Sequence, residues 1–256
     1  MRWRLYLTEP LDATENMALD EALMLRARTS GEYVFRVYGW SEPTLSLGRN
    51  QRAVGVFDKQ IAECNGVAIV RRLTGGRAVL HHREVTYSVT GPALHDTLRT
   101  SYAGINRILL AALQSLGVRA ALAHARSERF PPPASSPCFE LPAEGEIVLG
   151  ARKLVGSAQV REGGAFLQHG SILVDDDQSR VPELSSVSIP HAAPAATLRD
   201  ALGSAPSLHD VAKALFSAVR LHADADAAPL HADAQLHRAT RAARTRYVDD
   251  SWTWRR

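Results

Sequence analysis

An α+β fold, with a mixed β-sheet core flanked by helices, is predicted by three features of this sequence. Short β-type runs alternate with helical segments along the chain. Hairpin signals recur in the second half, at Gly150 and at the Gly163-Gly164 pair. The clearest helix, residues 100–116, carries Tyr102, Ile105, Leu109, Ala112, Leu113 and Leu116 on one stripe and ends at Gly117. A chain of 256 residues, 45% of them hydrophobic, can bury a large core. The expected organisation is a core over residues 30–218, an N-terminal strand and helix (1–29) packed on it, and a C-terminal helical segment (219–256).

Taken in order, residues 3–7 read as a strand, and Asp12 with Glu15 resembles a capping box. The helix it opens has Ala18, Leu19, Ala22, Leu23 and Leu25 as its apolar face, up to Gly31. Residues 33–38 and 44–47 read as strands split by a turn at Ser41 and Pro43. A short helix near residues 56–64 precedes the stretch RRLTGGRAVLHHREVTYSV, from Arg71 to Val89, in which two β-type runs surround a His pair. After the long helix, residues 118–122 return to the sheet, and residues 129–142 form an irregular segment with five prolines and Cys138. A meander follows at 147–149, 154–161 and 165–174. Beyond Pro182 the apolar signal weakens, with helices expected after the Ser207/Asp210 cap and over 233–246.

The N-terminus lacks the uninterrupted apolar core of a signal peptide, and no run approaches a membrane span, so a cytoplasmic protein with no membrane role is expected. The formal charge of +3 suits an acidic partner protein. The arginines are spread over the chain and aromatic content is 6%, which argues against nucleic acid. The scatter of His222, Asp224, Asp226, His231, Asp233 and His237 has no metal-ligand spacing and reads as solvated surface; no metal or cofactor is expected.

Two residues stand out chemically. Cys138, between Pro137 and Phe139, is a candidate nucleophile, whereas Cys64 at a helix end fits a buried structural role. Lys153 is one of three lysines among 30 basic residues; next to Arg152, it sits where a compact charge with a tunable pKa differs from arginine. The small residues Gly156, Ser157 and Ala158 that follow leave room for a ligand. Arg71 and Arg72 beside Gly75-Gly76 could hold a polar or anionic group, while His81, His82 and His169 individually read as ordinary hydrogen-bonded histidines.

RRLTGGRAVLHHREVTYSV resembles the signature of the biotin/lipoate protein ligase family, and its form is closest to bacterial octanoyltransferases of the LipM type. KLVGSAQVREGGAFLQHGSILV from Lys153, NMALDEAL from Asn16, YGWSEPTLSLGRNQ from Tyr38, PCFELP around Cys138 and the ending YVDDSWTWRR are similar to the same family. The resemblance implies a class II aminoacyl-tRNA synthetase/biotin synthetase-like catalytic fold. It also implies transfer of an octanoyl group from octanoyl-acyl carrier protein to a lysine of a lipoyl domain, such as glycine cleavage H protein or a 2-oxoacid dehydrogenase E2 subunit. Cys138 would form the thioester, with Lys153 lowering its pKa and orienting the acyl carbonyl. Arg71, Arg72, Gly75, Gly76, His81, Gly156, Ser157, Ala158 and His169 would line the acyl pocket. An acidic residue is expected after His81; this chain has His82. The alternatives are an ATP-dependent lipoate-protein ligase, an octanoyl amidotransferase acting between lipoyl domains, and a non-catalytic acyl-protein binding module.

Overall fold

The computed structural model describes residues 1–93, 97–123, 144–190 and 193–255. Strand β1 (Trp3–Leu7) leads to helix α1 (Ala13–Ser30), which begins where the Asp12 carboxylate accepts from the Glu15 amide and ends at Gly31 in the left-handed region (φ 66°). Strands β2 (Tyr33–Tyr38) and β3 (Thr44–Leu47) follow, then helix α2 (Lys59–Cys64), β4 (Ala68–Arg71), β5 (Val79–His81) and β6 (Glu84–Pro92). Helix α3 (Leu98–Ser115) is capped by Thr97, and its buried residues include Ile105, Leu109, Ala112 and Leu113 of the expected stripe. The meander is β7 (Ala121–Leu122), β8 (Ile147–Leu149), β9 (Arg152–Glu162) and β10 (Ala165–Leu173). A 3-10 helix (Gln178–Leu184), α4 (Leu198–Leu202), α5 (Leu208–His222), β11 (Ala228–Pro229), α6 (Ala234–Tyr247) and α7 (Asp250–Thr253) complete the described chain. The Ser207/Asp210 capping box is made in both directions at the start of α5.

The eight-stranded sheet has the order β11-β1-β2-β6-β10-β9-β8-β7. It is parallel from β11 to β2 and antiparallel from β2 to β7. The expected mixed sheet is therefore present, and β1 is one of its strands. One face buries Phe35, Val37, Val85, Tyr87, Val155 and Ile172 against α3 and α5. The other face packs Ala165 and Leu167 against Met17, Ala18 and Met24 of α1 and Ala243 and Tyr247 of α6. The sequence did not announce a second sheet of three strands, β4-β3-β5, which encloses a small core of its own around Leu45, Leu47, Phe57 and Leu80. The Gln178 amide clips the 3-10 helix to this sheet: its nitrogen donates to the Leu80 carbonyl (2.6 Å) and its oxygen accepts from the Leu80 amide (3.1 Å).

Two expectations need correction. Cys64 is exposed, because Ala62 is the one buried residue of α2 and the helix gives a terminal side chain no core to enter. Leu25 lies at the solvent edge of α1, 36% exposed, while Met17, Met24 and Ala27 are buried. Among the described residues, no helix is long and apolar enough to cross a membrane.

The main chain at Gly76, with φ 92°, runs against Gly48: a Cβ at Gly48 would stand 2.0 Å from the Gly76 carbonyl oxygen. Gly48→Ala is therefore expected to destabilise by about 1–3 kcal/mol, the usual penalty for overpacking. Gly104→Ala in α3, where an added Cβ meets nothing within 4 Å, should stabilise instead, by roughly 0.5–1 kcal/mol from helix propensity. Urea denaturation midpoints of the two variants check the pair.

Candidate active site

A cleft open to solvent lies between the α1 face of the large sheet and the small sheet. Gly156, Ser157 and Ala158 of β9 and His169, Gly170 and Ser171 of β10 form one wall. Ser46, Arg72, Gly76, Val79 and His81 form the opposite wall, with Met17, Tyr38, Trp40 and Thr86 between them. Sheet pairing makes the first wall: Ala158 stands opposite His169 and Gly156 opposite Ser171. Seven of the residues singled out from the sequence are thus brought together here: Arg72, Gly76, His81, Gly156, Ser157, Ala158 and His169.

The neighbouring arginines part company. Arg72 curls into its own loop, donating to the carbonyls of Ser46 (2.8 Å), Gly75 (2.8 Å) and Arg77 (2.7 Å), so that the Gly75-Gly76 turn wraps a guanidinium. Gly75 contributes this carbonyl and does not line the cleft. Arg71, expected at the pocket wall, is fully buried behind it and does not line it. Its donors reach the carbonyls of Gly48 (2.6 Å), Gln51 (2.7 Å) and Thr253 (2.8 Å). The reason is strand alternation: successive residues leaving β4 point to opposite faces.

His81 stacks on Trp40, with ring centroids 4.3 Å apart. Its Nε2 is 2.7 Å from Ser46 Oγ and its Nδ1 is 2.8 Å from Glu84 Oε1. Burial pushes the Glu84 carboxyl up, but the His81 charge and hydrogen bonds from His81, Ser171 and Thr86 outweigh it and hold the group below its ordinary value. The unexpected His82 turns elsewhere: its Nδ1 lies 2.8 Å from Asp177 Oδ2, so the acidic partner comes from the start of the 3-10 helix. Burial raises the Asp177 carboxyl despite that contact.

His169 is held by Thr74 Oγ1 (2.6 Å to Nε2) and Asp20 Oδ2 (3.3 Å to Nδ1). Asp20 belongs to a fully buried cluster: it accepts from Arg36 Nη1 (2.8 Å), the Tyr38 hydroxyl (2.9 Å) and the Ser88 hydroxyl (2.7 Å). Burial works to raise this carboxyl, and Arg36, His169 and Ser88 together pull it below the ordinary range. Sequence reasoning passed over Asp20, Arg36 and Glu84. Arg36 carried a signal, a charge between Phe35 and Val37 in an apolar strand, as did Asp20 beside Leu19 in the apolar run of α1; Glu84, next to Arg83, carried none.

Lys153 is not the solvated turn lysine its position suggests. Its side chain is 5% exposed and its amine donates to Glu146 Oε1 at 2.8 Å. The cause is a β-bulge. Ile147 pairs with Val155, but Val148 pairs with Lys153, so β9 has one extra residue, Leu154. Paired residues share a face and neighbours in a strand do not, so Lys153 lies on the face opposite Val155. Leu154 and Val155 both enter the core under α3, and Lys153 joins Gly156 and Ala158 on the cleft side. Lys153 does not line the cleft itself; Gly156 is the next cleft-side residue along the strand. Cys138 lies outside the described residues. The chain enters and leaves segment 124–143 beside Glu146: Ala123 N donates to Glu146 O (2.8 Å) and Gly145 N to Ala123 O (2.9 Å).

Burial lowers the His169 imidazole below 6.5 even though Asp20 raises it. A lowered histidine binds its proton more weakly when folded than when unfolded, so the unfolded state takes up protons first and stability falls on acidification below about pH 6.5. The lowered carboxyls of Asp20 and Glu84 add a further loss only near and below pH 4. Urea midpoints measured from about pH 7 to pH 5 should fall for the natural chain and fall less steeply for His169→Gln. Equal slopes would assign the effect to another group.

Residues 12–220 match the lipoyl protein ligase A/B catalytic domain family. A relative from Kyrpidia tusciae named octanoyltransferase LipM is 38% identical over 99% of both chains. A protein of the same name from Brevibacillus brevis is 34% identical over 100% of this chain and 99% of its own. Among solved structures, lipoate-protein ligase A bound with ATP superposes with a TM-score of 0.79 at 21% identity, covering 99% of each chain. The bi-partite lipoate protein ligase of Thermoplasma acidophilum gives 0.78 at 20% identity over 99% of this chain and 96% of that one. The mixed sheet with flanking helices is thus the class II synthetase-like fold that lipoate ligases share. By a match that spans most of its length and by relatives aligned end to end, the chain belongs to the lipoyl protein ligase A/B catalytic domain family.

Proposed function

We propose that this chain is a cytoplasmic octanoyltransferase of protein lipoylation, acting through a thioester on Cys138. The observation that carries the proposal is full-length similarity to octanoyltransferases LipM, and the buried Lys153–Glu146 pair beside the segment bearing Cys138 supports it. In this reading residues 30–218 are the catalytic core, braced by 1–29 and 219–256.

The Cys138 thiolate attacks the carbonyl carbon of octanoyl-acyl carrier protein, the bond from that carbon to the carrier sulfur breaks, and the carrier thiolate takes up a proton. The neutral amine of a lysine on a lipoyl domain then attacks the acyl-enzyme. The bond to Cys138 sulfur breaks, the amine loses a proton, and an amide remains. Lys153 lowers the thiol pKa and donates to the acyl oxygen as negative charge develops there. The wall of Arg72, Gly76, His81, Gly156, Ser157, Ala158 and His169 holds the acyl chain, and Arg71 and Gly75 support that wall from behind. The acceptor is a lipoyl-domain protein such as glycine cleavage H protein or a 2-oxoacid dehydrogenase E2 subunit.

Intact mass spectrometry after incubation with octanoyl-acyl carrier protein, without ATP, should show one hydroxylamine-sensitive octanoyl adduct that is absent in Cys138→Ala. An adduct persisting in that variant would sink the mechanism, and a strict ATP requirement for modifying the lipoyl domain would assign ligase chemistry. Lys153→Arg should lose most of its turnover, since a guanidinium differs in size and donor geometry from the ammonium that fits beside Glu146. Single-turnover acylation rates check this; a near-natural rate would remove lysine identity from the argument.

A further inference from the structure

The Lys153 amine is buried and faces a carboxylate that is itself buried, with side-chain exposures of 5% and 7%. Burial penalises a charged amine, and an opposite charge within hydrogen-bond distance restores it. Glu146 is also held in place from three sides. Its carbonyl accepts from Ala123 N (2.8 Å), the preceding Gly145 amide donates to the Ala123 carbonyl (2.9 Å), and the Asn106 side chain of α3 donates to the Gly145 carbonyl (2.7 Å). These bonds anchor the backbone from which the carboxylate projects, and so set the direction from which it meets the amine.

We infer that Glu146 is a positioning residue that keeps Lys153 as an aimed ammonium, so that Lys153 serves the reaction as a cation and hydrogen-bond donor and not as a base. The inference rests on the octanoyltransferase reading for its catalytic meaning. Among the described residues, the other groups around the pair leave this assignment intact. Tyr102 of α3 is a neutral phenol, pushed up by burial and by Glu146. Tyr87 of β6 is likewise pushed up by burial, and its hydroxyl is engaged with Ser157 (2.7 Å) and Gln168 (2.9 Å). Arg152 of β9 turns outward to Asp200 of α4 (3.3 Å), and the Asp176 carboxylate accepts from the Ala195 amide (2.8 Å).

If Lys153 acts as an ammonium, losing its proton switches the enzyme off and sets the alkaline limb of the rate profile. Single-turnover acylation by octanoyl-acyl carrier protein, followed from about pH 6 to pH 10, should show that limb shifted down by about one pH unit or more in Glu146→Gln. Glu146→Asp, which keeps the charge, should restore most of the shift. A uniform loss of rate with the limb unmoved would reduce Glu146 to a structural role and overturn the inference. Should Glu146→Gln not fold, the natural chain still decides: with three lysines in the sequence, 13C-lysine labelling yields three side-chain sets, and the Lys153 Cε signal should stay at its ammonium position to about pH 9. Titration of that signal below about pH 8 overturns the inference. Failure of the natural chain to acylate at any pH would sink the octanoyltransferase reading instead, leaving the titration result to stand alone.

Discussion

The contact on which the rest of the architecture depends is the ion pair between Arg36 of β2 and Asp20 of α1, both fully buried. Desolvating two charges costs several kcal/mol per ion, and the cost is met only when every donor and acceptor finds a partner. Here they do: Arg36 also reaches Asn16 Oδ1 (2.6 Å) and Thr8 Oγ1 (3.1 Å), and its guanidinium lies 3.8 Å from the centroid of the Tyr38 ring. Removing one member of such a pair costs about 3–5 kcal/mol because the other is left buried and unpaired. Satisfying the pair fixes how α1 sits on the sheet. It thereby places Met17 on one side of the cleft and His169 on another.

Local structure was largely legible, because it depends on neighbours in sequence. Asp12, Gly31, Ser207 and Asp210 marked helix ends, the stripe of α3 gave its buried face, and the glycines at 150 and 163–164 gave the hairpins. The site was legible in membership and not in arrangement. Arg71 and Arg72 are adjacent and chemically identical, yet one ties the loop at 48–51 to α7 and the other shapes the cleft. Only the pairing of β4 with β3 separates them. Arg36 reads as an ordinary strand residue until its partner sixteen positions earlier is folded against it.

The second sheet was hidden for a similar reason. Its strands are four, four and three residues long, too short to show a period, and they become strands by pairing with one another. Yet this sheet supplies Ser46, Val79 and His81, three of the five residues on one wall of the cleft. His82, where an acidic residue was expected, does not line the cleft and pairs instead with Asp177 at the start of the 3-10 helix.

The bulge at Leu154 has a consequence for chain length. Hairpin loops ordinarily accept insertions and deletions, because their residues face solvent and their strands re-pair with little loss. Between the turn at Gly150 and Gly156 that freedom is gone. Removing one residue would restore regular alternation and send the lysine amine into the apolar layer beneath α3, with Glu146 left behind on the other side. The count of residues in this short span therefore acts as an address, and a homologue differing by one there would need a compensating change in β8 to keep its lysine on the same face as the carboxylate.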